Sequence, residues 1–365
     1  MSKVIEVRNL SRVFAGRAAV DNVSFDVDEG EVLVIVGSSG CGKTTTLRCI
    51  AGLTEPTSGT VTVDGRMMVG PGVFVPPERR GIGMVFQSYA LWPHKTVAEN
   101  IAYSLVVRGT AKAEIGKAVD RALALVDLKG MGDRYPSSMS GGQQQRVAVA
   151  RCAVSEPRVL LLDEPLSNLD AKLREQMREE LRYLITKIRS TAIHITHDQT
   201  EAMALADRII CMRDGKVEQV GSARDLYRRP ASRFIADFIG ISTFLDGKCL
   251  ERGLDGSYRI VLTNGDQLLS SISTSVGSGS KVTVAIRPEN FNLYARRPEG
   301  TNVLEGIISS GIFFGDHIEY SITYGGVILK ARSRLDFPVG AAVFVQVNPD
   351  DVVYFGQQSA AAVAA

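Results

Sequence analysis

The sequence has a single tryptophan in 365 residues, five cysteines, and no apolar run near the about 18 residues a bilayer span needs. Cys41, Cys49, Cys152, Cys211 and Cys249 are odd in number, scattered and without C-x-x-C spacing. That pattern argues against a disulfide framework or a zinc site and points to buried thiols in a cytosolic chain. An excess of one charge is also missing. The 42 Lys+Arg face 40 Asp+Glu, which argues against a protein that coats nucleic acid or acidic lipid. Met1–Leu10 mixes Lys3, Glu6 and Arg8 with single apolar residues, unlike a signal peptide. The expectation is a chain that does not cross a membrane by itself.

What is present is ordinary globular material, 45% hydrophobic and 22% charged, long enough for about two or three domains. Composition shifts near residue 240: the first 239 residues carry 32 basic and 28 acidic residues, the remainder 10 and 12. In the first part, Val32–Val36 and Val159–Leu162 are continuous apolar runs, as suits strands buried on both faces of a parallel sheet. Between Asp170 and Ser190, Leu173, Met177, Leu181, Leu184, Ile185 and Ile188 fall on one helical face. Strand–helix alternation of this kind predicts an α/β domain. In the second part, Val282, Val284 and Ile286 alternate, as do Val343, Val345 and Val347. Tyr258–Leu262 runs into Asn264-Gly265 and Ile318–Thr323 into Gly325-Gly326, both hairpin signals. Ser270–Ser280 reads as a Ser/Gly-rich loop. The prediction for this part is a small antiparallel barrel or sandwich.

Gly37-Ser38-Ser39-Gly40-Cys41-Gly42-Lys43-Thr44 matches G-x-x-x-x-G-K-[ST], after a predicted strand and before a predicted helix. Glycines let the backbone curl until its N–H groups converge on phosphate oxygens, at a helix N-terminus that favours anions. Lys43 would neutralise the β- and γ-phosphates and Thr44 would hold Mg²⁺. Asp163 and Glu164 end the second apolar run, where α/β sheets present ligand-binding groups. Asp163 can hold Mg²⁺ and Glu164 can act as general base; the pair can equally cap the next helix. Ser140-Gly141-Gly142-Gln143, after Met139, is a second glycine-rich turn opening a helix, hence a second anion site or simply a helix cap at Ser140. One phosphate chain hardly needs both turns from one molecule.

With these motifs the sequence resembles the ABC-type ATPases, and the resemblance covers nearly the whole chain. Met139–Gln143 is similar to their signature motif, with Met139 where Leu is usual; the similar volume predicts little change in chemistry. Gly37–Thr44 then corresponds to the Walker A loop, in which Ser38, Gly40, Cys41, Gly42, Lys43, Thr44 and Thr45 would bind the nucleotide, and Val159–Glu164 to Walker B. Gln87 resembles the Q-loop glutamine, a catalytic and metal-binding position; Ser167-Asn168-Leu169-Asp170 resembles the D-loop. His197 resembles the switch histidine, and Phe14 stands where an aromatic stacks on adenine. Taken without the resemblance, Phe14 could also be a core residue, although a flat face near the phosphate loop suits base stacking, and His197 could also be a satisfied core histidine; His94, His194 and His317 match no motif and read as structural or surface.

The family implies a fold and partners. It implies an α/β P-loop NTPase cassette over residues 1–239, with a RecA-like core and a helical subdomain at about 88–154. A small all-β OB-like (TOBE-type) accessory domain would follow at 240–365, where Ala285-Ile286-Arg287-Pro288-Glu289 carries the likeness. It further implies a homodimer closing head to tail on ATP and Mg²⁺, each ATP between one copy's Walker A and the other's signature. Two integral-membrane permease subunits would dock near Gln87–His94, a stretch that holds Trp92, unless Trp92 packs inside the helical subdomain. An extracytoplasmic solute-binding protein would act indirectly, with this chain peripheral on the cytoplasmic face of the inner membrane and no nucleic acid involved. The resemblance is to importers of sugars, polyamines, ferric iron or phosphonates. Competing readings are a soluble ABC ATPase acting on nucleic acid or ribosomes, an exporter ATPase, and a P-loop kinase or GTPase. The long coiled-coil insertion or second cassette of the first is missing, as is the N-K-x-D motif of a GTPase.

Overall fold

The computed structural model describes residues 2–188, 190–253, 257–272 and 276–356. They form two compact units, Met1–Ala223 and Arg224–Ala365. In the first unit, β1 (Lys3–Phe14), β2 (Arg17–Asp28), β4 (Ser58–Val63), β5 (Arg66–Gly70) and β6 (Val73–Phe74) make an antiparallel sheet ordered β2-β1-β4-β5-β6. The other sheet comprises β3 (Val32–Gly37), β7 (Ile82–Val85), β8 (Val159–Asp163), β9 (Thr191–Thr196), β10 (Arg208–Arg213) and β11 (Lys216–Gly221), ordered β11-β10-β3-β9-β8-β7. All its pairings are parallel except β10 with β11 at the edge.

Every residue of β3 and β8 is buried, as their unbroken apolar runs predict; each such aliphatic side chain contributes roughly 2 kcal/mol. Strand–helix alternation accounts for this sheet but not for the antiparallel one. Register shifts along β1, between Val7 and Leu10 and on to Val13, break the period of two that would have marked it.

Helix α1 (Lys43–Ala51) follows β3, and α2 (Val97–Val107), α3 (Lys112–Leu125) and α4 (Gly141–Ala153) lie between β7 and β8. The last three share a core of their own, with Val97, Ile101, Leu123, Met139 and Val147 buried together, and so form a helical subdomain. Capping boxes Thr96/Glu99 and Ser140/Gln143 start α2 and α4. Helix α5 (Ala171–Ile188) buries Met177, Leu181, Leu184 and Ile185 on the predicted face, and α6 (Gln199–Leu205) follows β9. All five cysteines are free and buried, and burial pushes the Cys49 thiol up to about 11 and Cys211 up to about 12. No helix among the described residues is long and apolar enough to cross a membrane.

A polar knot lies inside the parallel sheet. His194, fully buried in β9, shares a 2.7 Å hydrogen bond with Glu201 Oε1, while the Thr196 hydroxyl donates to Glu201 Oε2 at 2.7 Å. His194 is thus structural, as its lack of a motif suggests. Burial opposes ionisation of Glu201, yet the His194 imidazole and the Thr196 hydroxyl outweigh it and hold the carboxyl below its ordinary value.

The second unit packs two five-stranded antiparallel sheets on one core that includes Leu245, Ile260, Val284, Phe291, Val345 and Tyr354. This is the predicted barrel-like all-β architecture, with hairpins at Asn264-Gly265 and Gly325-Gly326; residues 273–275 of the predicted Ser/Gly-rich loop lie outside the described residues. The short helices α7 (Ala223–Arg228) and α8 (Arg233–Phe238) precede its first strand. Buried Arg287 explains why they belong here. Its guanidinium donates to the carbonyls of Ala236 (2.8 Å), Ile241 (3.2 Å) and Tyr227 (3.2 Å) and lies 4.2 Å from the Tyr227 ring centroid. The units therefore divide upstream of the compositional shift at residue 240.

Because the Glu201 carboxyl is depressed in the folded chain, its contribution is present above its unfolded value and lost as pH falls through the folded one. Glu201→Gln should cost about 2 kcal/mol at neutral pH and flatten the acid limb of stability. Urea denaturation across pH checks this; an unchanged midpoint contradicts it.

Candidate functional site

Four loops leave the same edge of the parallel sheet. Gly37 ends β3, Gln87 follows β7, Asp163 ends β8 and His197 follows β9. The register Val36↔Thr196 and Asp163↔Ile195 brings three of those strand ends to one level.

The loop after β3 runs so close to its neighbours that a side chain is excluded at two positions. A Cβ at Gly37 would lie 2.3 Å from the Met212 carbonyl oxygen, and one at Gly42, whose φ is 104°, 2.3 Å from that of Ala19. Gly42 is the N-cap of α1. Lys43, only 5% exposed, folds back so that Nζ donates to the carbonyls of Gly37 (2.8 Å) and Ser38 (3.0 Å). No acidic side chain among the described residues pairs with it. The loop is a concentrated positive site with its backbone at a helix N-terminus, which suits a phosphate chain. Ser38 and Gly40 are exposed, Cys41 buried, and Thr44 and Thr45 half-buried.

Asp163 is buried beside this loop. Burial raises its carboxyl above the usual range and the Glu164 charge adds to that; Arg48 and a hydrogen bond from Thr44 act against it. A carboxylate and a hydroxyl in contact, with phosphate oxygens to come, make a donor set that fits Mg²⁺, which keeps few protein ligands. No group of three His, Cys, Asp or Glu that could hold a metal occurs among the described residues, so no all-protein cage competes.

Glu164 sits in the left-handed backbone region at φ 46°. This strain is held from both sides: its N–H donates to the Ile195 carbonyl at 3.1 Å, and its own carbonyl accepts from the Ser167 hydroxyl at 2.9 Å. The side chain thereby meets His197, with Oε2 and Nδ1 3.1 Å apart. A carboxylate turned toward a histidine at a phosphate-binding edge can orient and deprotonate a water.

Phe14 is 46% exposed at the tip of the β1–β2 hairpin, where Ala15 and Gly16 both have positive φ. The Arg12 guanidinium covers one ring face at 4.4 Å, so Phe14 is not core. The side chain of Gln87 is exposed and its carbonyl accepts from Asn168 Nδ2 at 2.8 Å. Ser140 and Gln143 hydrogen-bond each other. No hydrogen bond among the described residues joins residues 140–143 to the loop at 37–45.

Sequence reading missed several supporting groups. Arg48 faces Asp163, Arg12 backs Phe14, and Asn168 holds Gln87. Arg174 donates to the carbonyls of Leu166 (3.3 Å) and Leu169 (2.9 Å) and lies 3.7 Å from Asp198, beside His197. Asn168 lies in the motif already read as D-loop-like, and what the sequence did not give is its bond to Gln87; an arginine reaching a carbonyl leaves no local signal.

Comparison with known proteins agrees with this geometry. The ABC transporter family matches residues 20–167 and the TOBE domain residues 284–355. The chain is 44% identical over 335 residues to the spermidine/putrescine import ATP-binding protein PotA of Rubrobacter xylanophilus, covering 90% of this chain and 86% of that one. It is 42% identical to the Fe(3+) ions import ATP-binding protein FbpC of Rhizobium etli, covering 87% of each. Among solved structures it resembles the ATP-binding cassette MJ0796, a dimer in a post-hydrolysis state bound to ADP and Pi. That match has a TM-score of 0.53 at 32% identity, over 60% of this chain and 98% of that one. With its cassette fold, TOBE domain and near-full-length relatives, the chain belongs to the ABC transporter family, as an ATP-hydrolysing subunit of the importer kind.

Proposed function

We propose that two copies of this chain close head to tail on two ATP molecules and that the closure drives solute uptake through two separate permease subunits. The observation that supports this is a second anion-binding turn, Ser140–Gln143 at the start of a helix, that no hydrogen bond among the described residues ties to the chain's own phosphate loop and that can serve a partner's nucleotide. Phe14 stacks on adenine. Ser38, Gly40, Cys41, Gly42, Lys43, Thr44 and Thr45 hold the phosphates. Ser140, Gly141, Gly142 and Gln143 of the other copy cover the γ-phosphate.

Thr44, Asp163 and Gln87 are the residues that hold Mg²⁺, which when bound neutralises charge on the phosphates. Glu164 takes the proton of the attacking water, and His197, hydrogen-bonded to it, fixes its orientation toward the γ-phosphate. The half-buried Leu91 and Trp92 near Gln87–His94, with exposed Tyr103 beside them, form the surface on which a permease subunit docks. The chain then lies peripherally on the cytoplasmic face of the inner membrane, with a solute-binding protein acting from the other side and no nucleic acid partner. The relatives named for polyamine and for ferric ion import are almost equally similar. The solute, of the ferric iron, polyamine, phosphonate or sugar class, is therefore chosen by the permease and binding protein.

Three measurements test this. Glu164→Gln should keep ATP binding and lower hydrolysis at least ~100-fold; wild-type turnover would remove Glu164 from the role of base. Asp163→Asn should abolish Mg²⁺-dependent hydrolysis while raising, or leaving unchanged, the melting temperature without nucleotide, because it removes a charge that burial disfavours; a marked loss of stability would contradict that. Lys43→Ala chains mixed with Ser140→Arg chains should recover ATPase activity absent from either alone, since a mixed head-to-tail dimer has one intact site. Ser140 is chosen over Gly142, where any Cβ would meet Met177 Sδ at 2.6 Å. No recovery on mixing would count against sites shared between copies.

A further inference from the structure

Just beyond Gln87, Tyr89 and Ala90 both occupy the left-handed backbone region, at φ 60° and 50°. Two consecutive residues with side chains in this region cost roughly 1–2 kcal/mol each, so the turn needs an outside restraint. Arg151 supplies it. Its guanidinium donates to the Tyr89 carbonyl at 2.7 Å and to the Ala90 carbonyl at 2.5 Å. The same group lies 5.2 Å from the ring centroid of Trp92, which packs on Tyr103 of α2 at 4.5 Å. A planar fork holds two neighbouring carbonyls and an aromatic face in one fixed orientation, which a shorter, rotating ammonium does not impose.

Arg151 stands in the last turn of α4, and Ser140 is the N-cap of that helix. The two are separated by about 16 Å of continuous helix. One end of a rigid rod presents the glycine turn, and the other holds the strained segment between Gln87 and Trp92. Nothing in the nucleotide chemistry above uses Arg151.

We propose that Arg151 is a positioning residue that couples the two ends: when the partner's nucleotide engages Ser140–Gln143, α4 moves and Arg151 carries the Tyr89–Trp92 turn with it. The inference rests on the head-to-tail reading of the ATP site. It makes the permease-facing surface sense nucleotide through one guanidinium, in addition to whatever Gln87 does at its own phosphate.

Trp92, as the only tryptophan, reports on the turn directly. In full-length Glu164→Gln protein, ATP should shift Trp92 emission, while bound radiolabelled ATP is counted in the same samples. Arg151→Met and Arg151→Lys should both lose the shift and still bind ATP within about threefold of the intact chain. Lysine keeps the charge, so the conservative variant carries the test if the methionine variant does not fold. A full shift in either variant, or an intact chain that binds ATP without any shift, would overturn the role of Arg151. Loss of ATP binding together with the shift would make Arg151 part of the site or of its folding, and would overturn it too. Absence of ATP binding by the intact chain would overturn the site itself.

Discussion

Parallel pairing of β3 with β9 and of β9 with β8 is the constraint on which the site depends. It brings the phosphate loop to one sheet edge with the Asp163–Glu164 pair and His197, both more than a hundred residues further along the chain. The pairing tolerates no slip, because a shift of one residue would turn Asp163 away from Thr44 and Glu164 away from His197. Close approach adds a second demand: Gly37 and Gly42 lie against the Met212 and Ala19 carbonyls and leave no room for a side chain. The buried His194–Glu201–Thr196 knot ties the middle strand of this set, β9, to the helix α6 that follows it.

The edge so formed is electrostatically unfinished. Lys43 has backbone carbonyls for partners and no carboxylate. Asp163 is buried where its charge is disfavoured, with Arg48 and Thr44 offering partial relief. Glu164 is held in a strained conformation by strand β9 on one side and by Ser167 of its own turn on the other. A polyphosphate with its cation would supply the anion that Lys43 lacks and the positive charge that Asp163 lacks. Backbone strain and a disfavoured charge thus gather at one edge, as they commonly do at functional sites.

Around that edge the loops are tied to one another through backbone carbonyls. Asn168 reaches the Gln87 carbonyl, Arg174 links Leu166 and Leu169 to the neighbourhood of His197, and Arg151 grips Tyr89 and Ala90. Planar, multiply donating side chains suit this work, since they fix orientation as well as distance.

Motif and periodicity alone located the candidate chemistry-bearing positions. Gly37–Thr44, between a strand and a helix, suits a phosphate chain, the apolar runs of β3 and β8 suit buried strands, and the alternation after residue 280 suits half-buried sheet, because local spacing dictates which faces are apolar. The order of strands, the antiparallel sheet disguised by bulges in β1, and the attachment of residues 224–239 to the β unit through Arg287 came only with tertiary structure. So did the partners of Arg12, Arg151 and Arg174. A sequence window records what a residue is and which face it occupies; a long side chain bonded to a distant carbonyl leaves no mark there, since every residue offers that acceptor and only the folded register selects which one is in reach.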